Sequence, residues 1–148
     1  MAFDLKNYLG VWYEIGRNNA WFEIGCETAV AVYTLVNGQM MINNYCYERN
    51  ICSTNDAPFI LHLGSRRMIK GVAEPTYNPL VFDITFETGQ KGKYNILFTD
   101  YVNYAIVGDV ATGYLSILSR QYEATDKEKS LLTKIVRDYG FNQVEWTV

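Results

Sequence analysis

The sequence predicts an all-β domain of eight short antiparallel strands, folded as a sandwich or an up-and-down barrel, with one α-helix and a brief further strand after them. Two observations carry this. β-rich runs separated by turn signals recur at short, regular spacing from Val11 to Arg120, which is the pattern of sandwiches and barrels. Helical period occurs once, where Leu131, Leu132, Ile135, Val136 and Tyr139 fall at i, i+1, i+4, i+5 and i+8.

The first strand is residues 11–16. The second and third, residues 27–35 and 40–47, flank Val36-Asn37-Gly38-Gln39, and Asn-Gly suits the two positive-φ positions of a type I′ hairpin. If Val36 pairs with Gln39, paired numbers sum to 75, so Tyr33 faces Ile42, Ala31 faces Asn44, Ala29 faces Cys46 and Cys26 faces Arg49. Further strands are expected at residues 66–73, 80–86, 93–99, 104–109 and 114–120. Within 80–86, Leu80, Phe82, Ile84 and Phe86 alternate with Val81, Asp83 and Thr85, which places Phe82 and Ile84 on one face. The helix opens with a capping box of Thr125 and Glu128 and ends at Gly140, and residues 143–147 form the short last strand.

The 148 residues suit one domain spanning 1–148. Only 3 Pro and 11 Gly among 20% charged residues exclude a disordered or collagenous chain. A net charge of −3 with no block of like charge leaves no electrostatic footprint for nucleic acid. A single histidine, His62, argues against a multi-histidine metal site, and no cofactor is expected. The 3 Trp, 12 Tyr and 7 Phe suit β-strands and a lined cavity. No apolar stretch approaches the roughly 18 residues of a transmembrane segment, and no basic-then-apolar leader follows Met1. A cytoplasmic location is expected if the chain is complete as written, and a secreted or periplasmic one if a leader was removed.

Cys26, Cys46 and Cys52 permit one intrachain bridge and do not form a metal-ligand pattern. The hairpin register puts Cys26 and Cys46 on opposite faces, so a bridge between them needs a bulge. Cys46 to Cys52 and Cys26 to Cys52 are both open through the loop at 48–51.

Gly10-Val11-Trp12-Tyr13-Glu14-Ile15 resembles the Gly-x-Trp signature of the lipocalins, and Thr99-Asp100-Tyr101 and Ser119-Arg120 resemble the second and third lipocalin motifs in the same order. Trp12-Tyr13-Glu14-Ile15, Gly25-Cys26, residues 114–120 and Gly140-Phe141 are most similar to the bacterial outer-membrane lipocalins and their relatives of the apolipoprotein D type. The resemblance covers residues 3–146. It implies an eight-stranded up-and-down antiparallel barrel, the lipocalin calyx, with the helix packed outside. It also implies a small hydrophobic or amphiphilic ligand, with a fatty acid or lysophospholipid as the expected class. No lipobox cysteine stands near the N-terminus, so the bacterial lipid anchor is not implied. Residues 87–92 are short and polar where some relatives carry a longer apolar loop, while the long segment 49–63 is expected on the adaptable side of the mouth. At most transient membrane contact is expected, with a monomer or weak dimer.

By the same resemblance Trp12 closes one end of the barrel and Arg120 lies across its ring, a structural pairing. With Trp12 inward, alternation turns Glu14 and Gly16 inward as well. The register and the resemblance together turn Ala29, Ala31, Tyr33, Leu35, Met40, Ile42, Asn44 and Cys46 inward. On the last barrel strand Tyr114, Ser116 and Leu118 share the face of Arg120, and on the sixth Tyr94, Ile96 and Phe98 line the interior. With Phe82 and Ile84 these are the candidate ligand-binding residues: Gly16, Ala29, Ala31 and Ser116 leave room, and Tyr33, Tyr94 and Tyr114 offer ring faces and hydroxyls. The competing reading is a packed barrel without a ligand. An inward Glu14 must be paired or neutralised: it holds a ligand head group, or it hydrogen-bonds nearby tyrosines or faces solvent after a local twist. His62, beside Phe59, Ile60, Leu61 and Leu63, reads as a loop residue. No catalytic residue is expected. An isomerase-like alternative would use the inward thiol of Cys46, for which no His or Lys partner is identifiable to lower its pKa. A second alternative is a protein-interaction module that uses the barrel exterior.

Overall fold

The computed structural model describes residues 3–18, 28–47, 66–109 and 114–146. Its strands are β1 (Gly10–Arg17), β2 (Thr28–Val36), β3 (Gln39–Tyr47), β4 (Arg66–Pro75), β5 (Val81–Phe86), β6 (Lys91–Thr99), β7 (Tyr104–Asp109) and β8 (Tyr114–Ser119). Each pairs with the next, and β1 closes the ring by pairing antiparallel with both β8 and β2. The choice between sandwich and barrel therefore falls to the barrel. β9 (Glu145–Trp146) lies outside the ring on β1.

The Asn37-Gly38 hairpin has the positive φ values of 52° and 80° that a type I′ turn requires. Its ladder pairs Ala29 with Cys46, Ala31 with Asn44 and Tyr33 with Ile42, the expected register. Cys46 is disulfide-bonded. Cys26, Cys52, Arg49, His62 and the segment 49–63 lie outside the described residues.

Side-chain alternation separates two cores. The inner one gathers Trp12, Ala31, Tyr33, Met40, Ile42, Phe82, Ile84, Tyr94, Ile96 and Leu118. The outer one joins Ile15, Ile106, Leu115 and Ile117 of the barrel wall to Leu132 and Val136 of the helix α2 (Asp126–Asp138) and to Phe141. The capping box of α2 is formed, with Thr125 Oγ1 accepting from the Glu128 amide at 3.1 Å and Glu128 Oε1 from the Thr125 amide at 2.9 Å. Gly140 follows the C-cap Tyr139 at φ 98°. Leu131 and Tyr139, expected in the apolar stripe, are exposed instead. A one-turn helix α1 (Leu5–Tyr8), too short to show a period in sequence, precedes β1 and is capped by Asp4.

Two β-bulges break the expected alternation. On β1 the pairing to β8 steps from Glu14↔Leu118 to Gly16↔Ile117, which leaves Ile15 as the extra residue. Ile15 and Gly16 therefore both face outward, and a Cβ on Gly16 would stand 3.0 Å from the Trp146 ring. Gly16 thus leaves the expected interior. Arg17, now opposite Ser116, takes the inward place beside Glu14. On β6 the pairing to β7 shifts between Ile96↔Val107 and Phe98↔Ile106. Phe98 accordingly packs on the outer core, not on the interior where alternation placed it. Leu35 is corrected for a different reason: the β1 ladder on β2 ends at Gly10↔Tyr33, so Leu35 projects past the ring and is exposed.

Two glycines test the close packing of the wall. A Cβ on Gly108 would come 2.5 Å from the Tyr114 carbonyl oxygen, whereas one on Gly92 would meet only Ile84, at 3.8 Å. Gly108→Ala should cost about 1–3 kcal/mol in urea unfolding, and Gly92→Ala should change stability by less than about 0.5 kcal/mol.

Candidate ligand-binding site

One end of the barrel is shut by Arg120. Its Cζ lies 3.7 Å from the centroid of the Trp12 ring. Its Nε donates to the carbonyl of Tyr101 at 3.0 Å and Nη1 to Val11 at 2.8 Å, while Nη2 donates to Asn7, Leu9 and Tyr8 at 3.0, 3.1 and 3.3 Å. The guanidinium thus satisfies carbonyls at the C-terminal end of α1, which have no intrahelical partner. Trp12 Nε1 donates to the Tyr8 carbonyl at 2.8 Å, which anchors the same turn from inside. Burial lowers the Arg120 pKa from its ordinary value against the opposing pull of Tyr8, Asp100 and Tyr33, and the group remains a cation at neutral pH. Gly10, at φ 105°, passes so close that a Cβ would sit 3.4 Å from Nη1.

The β6–β7 turn supplies the other side of this closure. Asp100 Oδ1 accepts from the amides of Val102, Asn103 and Tyr104 at 3.2, 2.7 and 2.9 Å. That holds Tyr101 at φ 68°, with its carbonyl on Arg120 and its hydroxyl accepting from the Asp4 amide at 2.9 Å. The three sequence motifs therefore meet at a single guanidinium.

Above the plug lie three buried phenols. Tyr94 donates to the Tyr33 hydroxyl at 2.9 Å. The Tyr8 and Tyr94 hydroxyls share a 2.6 Å hydrogen bond that either can donate. Tyr8 stacks on Tyr33 with ring centroids 5.6 Å apart and planes at 9°, and Tyr94 meets Tyr33 edge to face. Burial first, then the neighbouring phenols, push the pKa of Tyr94 well above 10.0. Burial and Tyr33 do the same for Tyr8, although its bond to Tyr94 and the charge of Arg120 pull the other way.

The wall above the phenols gathers most of the expected residues. Ala31, Tyr33, Met40, Ile42, Phe82, Ile84, Tyr94, Ile96 and Leu118 belong to one inner cluster, with Tyr114 and Phe86 half-buried against it. Ala29 and Asn44 are half-buried and Cys46 is buried on the same inward face. Glu14 is buried and paired: its Oε2 accepts from Ser116 Oγ at 2.6 Å and its Oε1 from Arg17 Nη1 at 3.1 Å. Arg17 and Ser116 are partners of Glu14 that the sequence did not point to. Tyr8, Arg17, Ala73, Ala105 and Val107 are inner residues that the sequence reading missed. Ala105 and Val107 were open to alternation on β7, whereas Arg17 depends on the bulge and Tyr8 on α1. Among the described residues no group of three His, Cys, Asp or Glu side chains is placed to hold a metal.

Arg120→Ala should destabilise by about 3 kcal/mol, since it removes charge-assisted bonds and a cation–π contact together, and lower Tm by roughly 6–12 °C. Arg120→Lys should recover little of this, because an ammonium cannot both cover the ring and reach the separate carbonyls. The raised phenols add a pH dependence. Their folded pKa values exceed the unfolded 10.0, so their stabilisation is complete below about pH 10 and is lost as pH climbs through the folded values. Urea midpoints should hold up to about pH 10 and fall above it, less steeply in Tyr94→Phe.

Residues 3–148 match the family described as Lipocalin-like domain. The chain is 30% identical over 144 residues to the outer membrane lipoprotein Blc of Escherichia coli, covering 95% of this chain and 75% of that one. It is 28% identical over 143 residues to a viral lipocalin from Acanthamoeba polyphaga mimivirus, covering 95% and 80%, and 33% identical over 117 residues to mouse apolipoprotein D, covering 74% and 53%. Among solved structures, lobster apocrustacyanin A1 superposes with a TM-score of 0.70 at 20% identity over 97% of this chain and 78% of that one, a likeness of fold. No helix among the described residues is long and apolar enough to cross a membrane. Together with the Trp12–Arg120 closure, these matches show that the chain belongs to the lipocalin family, known for binding small hydrophobic ligands.

Proposed function

We propose that this protein binds and carries a single-chain amphiphile, a fatty acid or a lysophospholipid, inside the barrel. The observation that supports this is the gradient along the inward face. At the plugged end Tyr8, Trp12, Met40 and Ala73 are fully sealed, whereas toward the other end Ala29, Asn44, Phe86 and Tyr114 remain half-exposed. An apolar interior open at one end suits an acyl chain, whose burial contributes about 0.8 kcal/mol per CH₂. The polar end of the ligand lies beside Ser116 and the ion pair of Arg17 and Glu14. The outer-membrane relative favours a periplasmic or secreted location, with the protein a monomer or weak dimer that touches membranes transiently.

Binding without turnover is part of the proposal. The isomerase-like alternative needs the inward thiol of Cys46, and Cys46 is disulfide-bonded. Ala31, inward between Trp12 and Asn44, is the position at which to test the reading. Ala31→Trp should weaken binding of a fluorescent fatty acid or lysophospholipid at least about tenfold, or 1.4 kcal/mol, while the outward Val32→Thr should barely change it. Far-UV circular dichroism must show both variants folded. Normal affinity in a folded Ala31→Trp would move the site out of the barrel.

A further inference from the structure

We infer that the plugged end of the barrel is a docking surface for a zwitterionic lipid layer, met by the tips of the β2–β3, β4–β5 and β6–β7 connections, and that the docked protein holds its mouth away from that layer. This rests on the transient membrane contact proposed above and names the end that makes it. It does not depend on which ligand fills the lumen.

The first observation is where apolar surface is left in water. Neighbouring strands are antiparallel, so those three connections leave the barrel at the end that Arg120 shuts. Among the described residues nine large apolar side chains are exposed, and six of them gather here: Val11, Leu35, Val36, Tyr77, Leu80 and Val102. Single exposed apolar residues are ordinary, whereas a group at one end of a molecule marks a contact surface. Exposure is greatest at the tips, where Val102 reaches 72% and Tyr77 102%.

The second observation is that the tips are held out rigidly. In each connection an asparagine follows the apolar residue: Val36-Asn37, Tyr77-Asn78 and Val102-Asn103. Asn37 supplies a positive φ of the hairpin turn. Asn78 Oδ1 accepts from the Leu80 amide at 3.0 Å, while Thr76 Oγ1 accepts from the Asn78 amide at 3.2 Å and donates to the Val81 carbonyl at 2.8 Å. Asn103 Nδ2 donates to Asp100 Oδ2 at 3.2 Å, in the turn whose amides Asp100 Oδ1 already holds. Turns fixed in this way lose little freedom on docking.

Charge and shape select the partner. None of the six side chains is charged, and both signs stand around them. Lys6 is exposed on α1 and Glu74 is exposed on β4, accepting from Gln39 Nε2 at 3.2 Å. Asp4, Asp100 and Arg120 are hydrogen-bonded to the backbone. Zwitterionic head groups offer a phosphate to Lys6 and an ammonium to Glu74. An anionic layer would need a surplus of cations, and among these groups three carboxylates stand against two cations. Successive tips lie two strands apart, about 10 Å, on a convex rim. Lipid moulds itself to separate points, and tyrosine suits its interface by joining an apolar ring to a polar tip. A second rigid rim would meet only a few of the tips. With this end docked, the mouth at the other end of the strands faces the aqueous side and takes its ligand from there.

The test is co-sedimentation of the full chain with phosphatidylcholine vesicles at low and high salt. The protein should bind them with little dependence on salt. A Tyr77→Ser, Val102→Ser double variant should bind about tenfold more weakly, with its affinity for a fluorescent fatty acid held within about twofold. Leu131→Ser, on the exposed side of α2, should change neither. Tyr77→Trp should gain quenching by brominated phosphatidylcholine that Leu131→Trp does not gain. Far-UV circular dichroism must show the variants folded, and Tyr77→Ser alone serves should the double variant not fold. Absence of vesicle binding while fatty acid is still bound would overturn the docking surface and leave the lumen reading standing. Binding confined to anionic vesicles and lost at high salt, or binding undiminished in the folded variants, would overturn it too. Self-association that Tyr77→Ser removes, found in place of vesicle binding, would give the surface to a second copy and overturn the lipid layer. Vesicle binding with the expected variant pattern but no uptake of fatty acid would support the docking surface and overturn the lumen reading alone.

Discussion

The arrangement depends on one cation placed where the barrel would otherwise be open. Arg120 covers the Trp12 ring and donates to carbonyls on α1, at the start of β1 and in the β6–β7 turn. The β6–β7 turn is distant in the chain from α1 and the start of β1, and no described ladder joins it to them. Even a half-buried guanidinium is costly unless its donors are used, and here the desolvation that lowers the Arg120 pKa is offset by backbone oxygens that also needed partners. Closure of that end turns a ring of strands into a vessel with a floor. The phenols of Tyr8, Tyr33 and Tyr94 can then be buried together above it.

The opposite end follows a different logic. On β1 the bulge at Ile15 moves two residues in succession to the outside, where Ile15 joins the helix-covered core and Gly16 admits the Trp146 ring. The same displacement turns Arg17 inward to Glu14 and Ser116. One irregularity thus seats the outer strand β9 and sets a charged pair in the wall of the lumen, so packing outside and polarity inside are coupled. The bulge on β6 acts similarly, sending Phe98 to the outer core while Ile96 stays within.

What was legible in the sequence was whatever depends on local pattern. The Asn37-Gly38 turn determined a register that holds at every described pair of β2 and β3, and Thr125 with Glu128 marked the start of α2. The Trp12–Arg120 pairing was legible only through resemblance, since nothing local joins residues so far apart. Gly16 and Phe98 were misplaced because alternation carries no signal for an inserted residue, and Leu35 because it cannot show where the neighbouring strand ends. Tyr8 and Arg17 escaped notice because their inward positions are set by a one-turn helix and a bulge. The ligand is still less legible, because a wall of Ala, Ile, Phe and Tyr accepts many molecules of similar size.

The most direct measurement is native mass spectrometry of the protein purified from its own source without denaturation, followed by lipid extraction and identification. One bound amphiphile per chain, released on unfolding and missing from folded Ala31→Trp, is the expected result. A bare chain mass under gentle ionisation, together with no uptake of added fatty acid or lysophospholipid, would contradict the view that this barrel is a vessel.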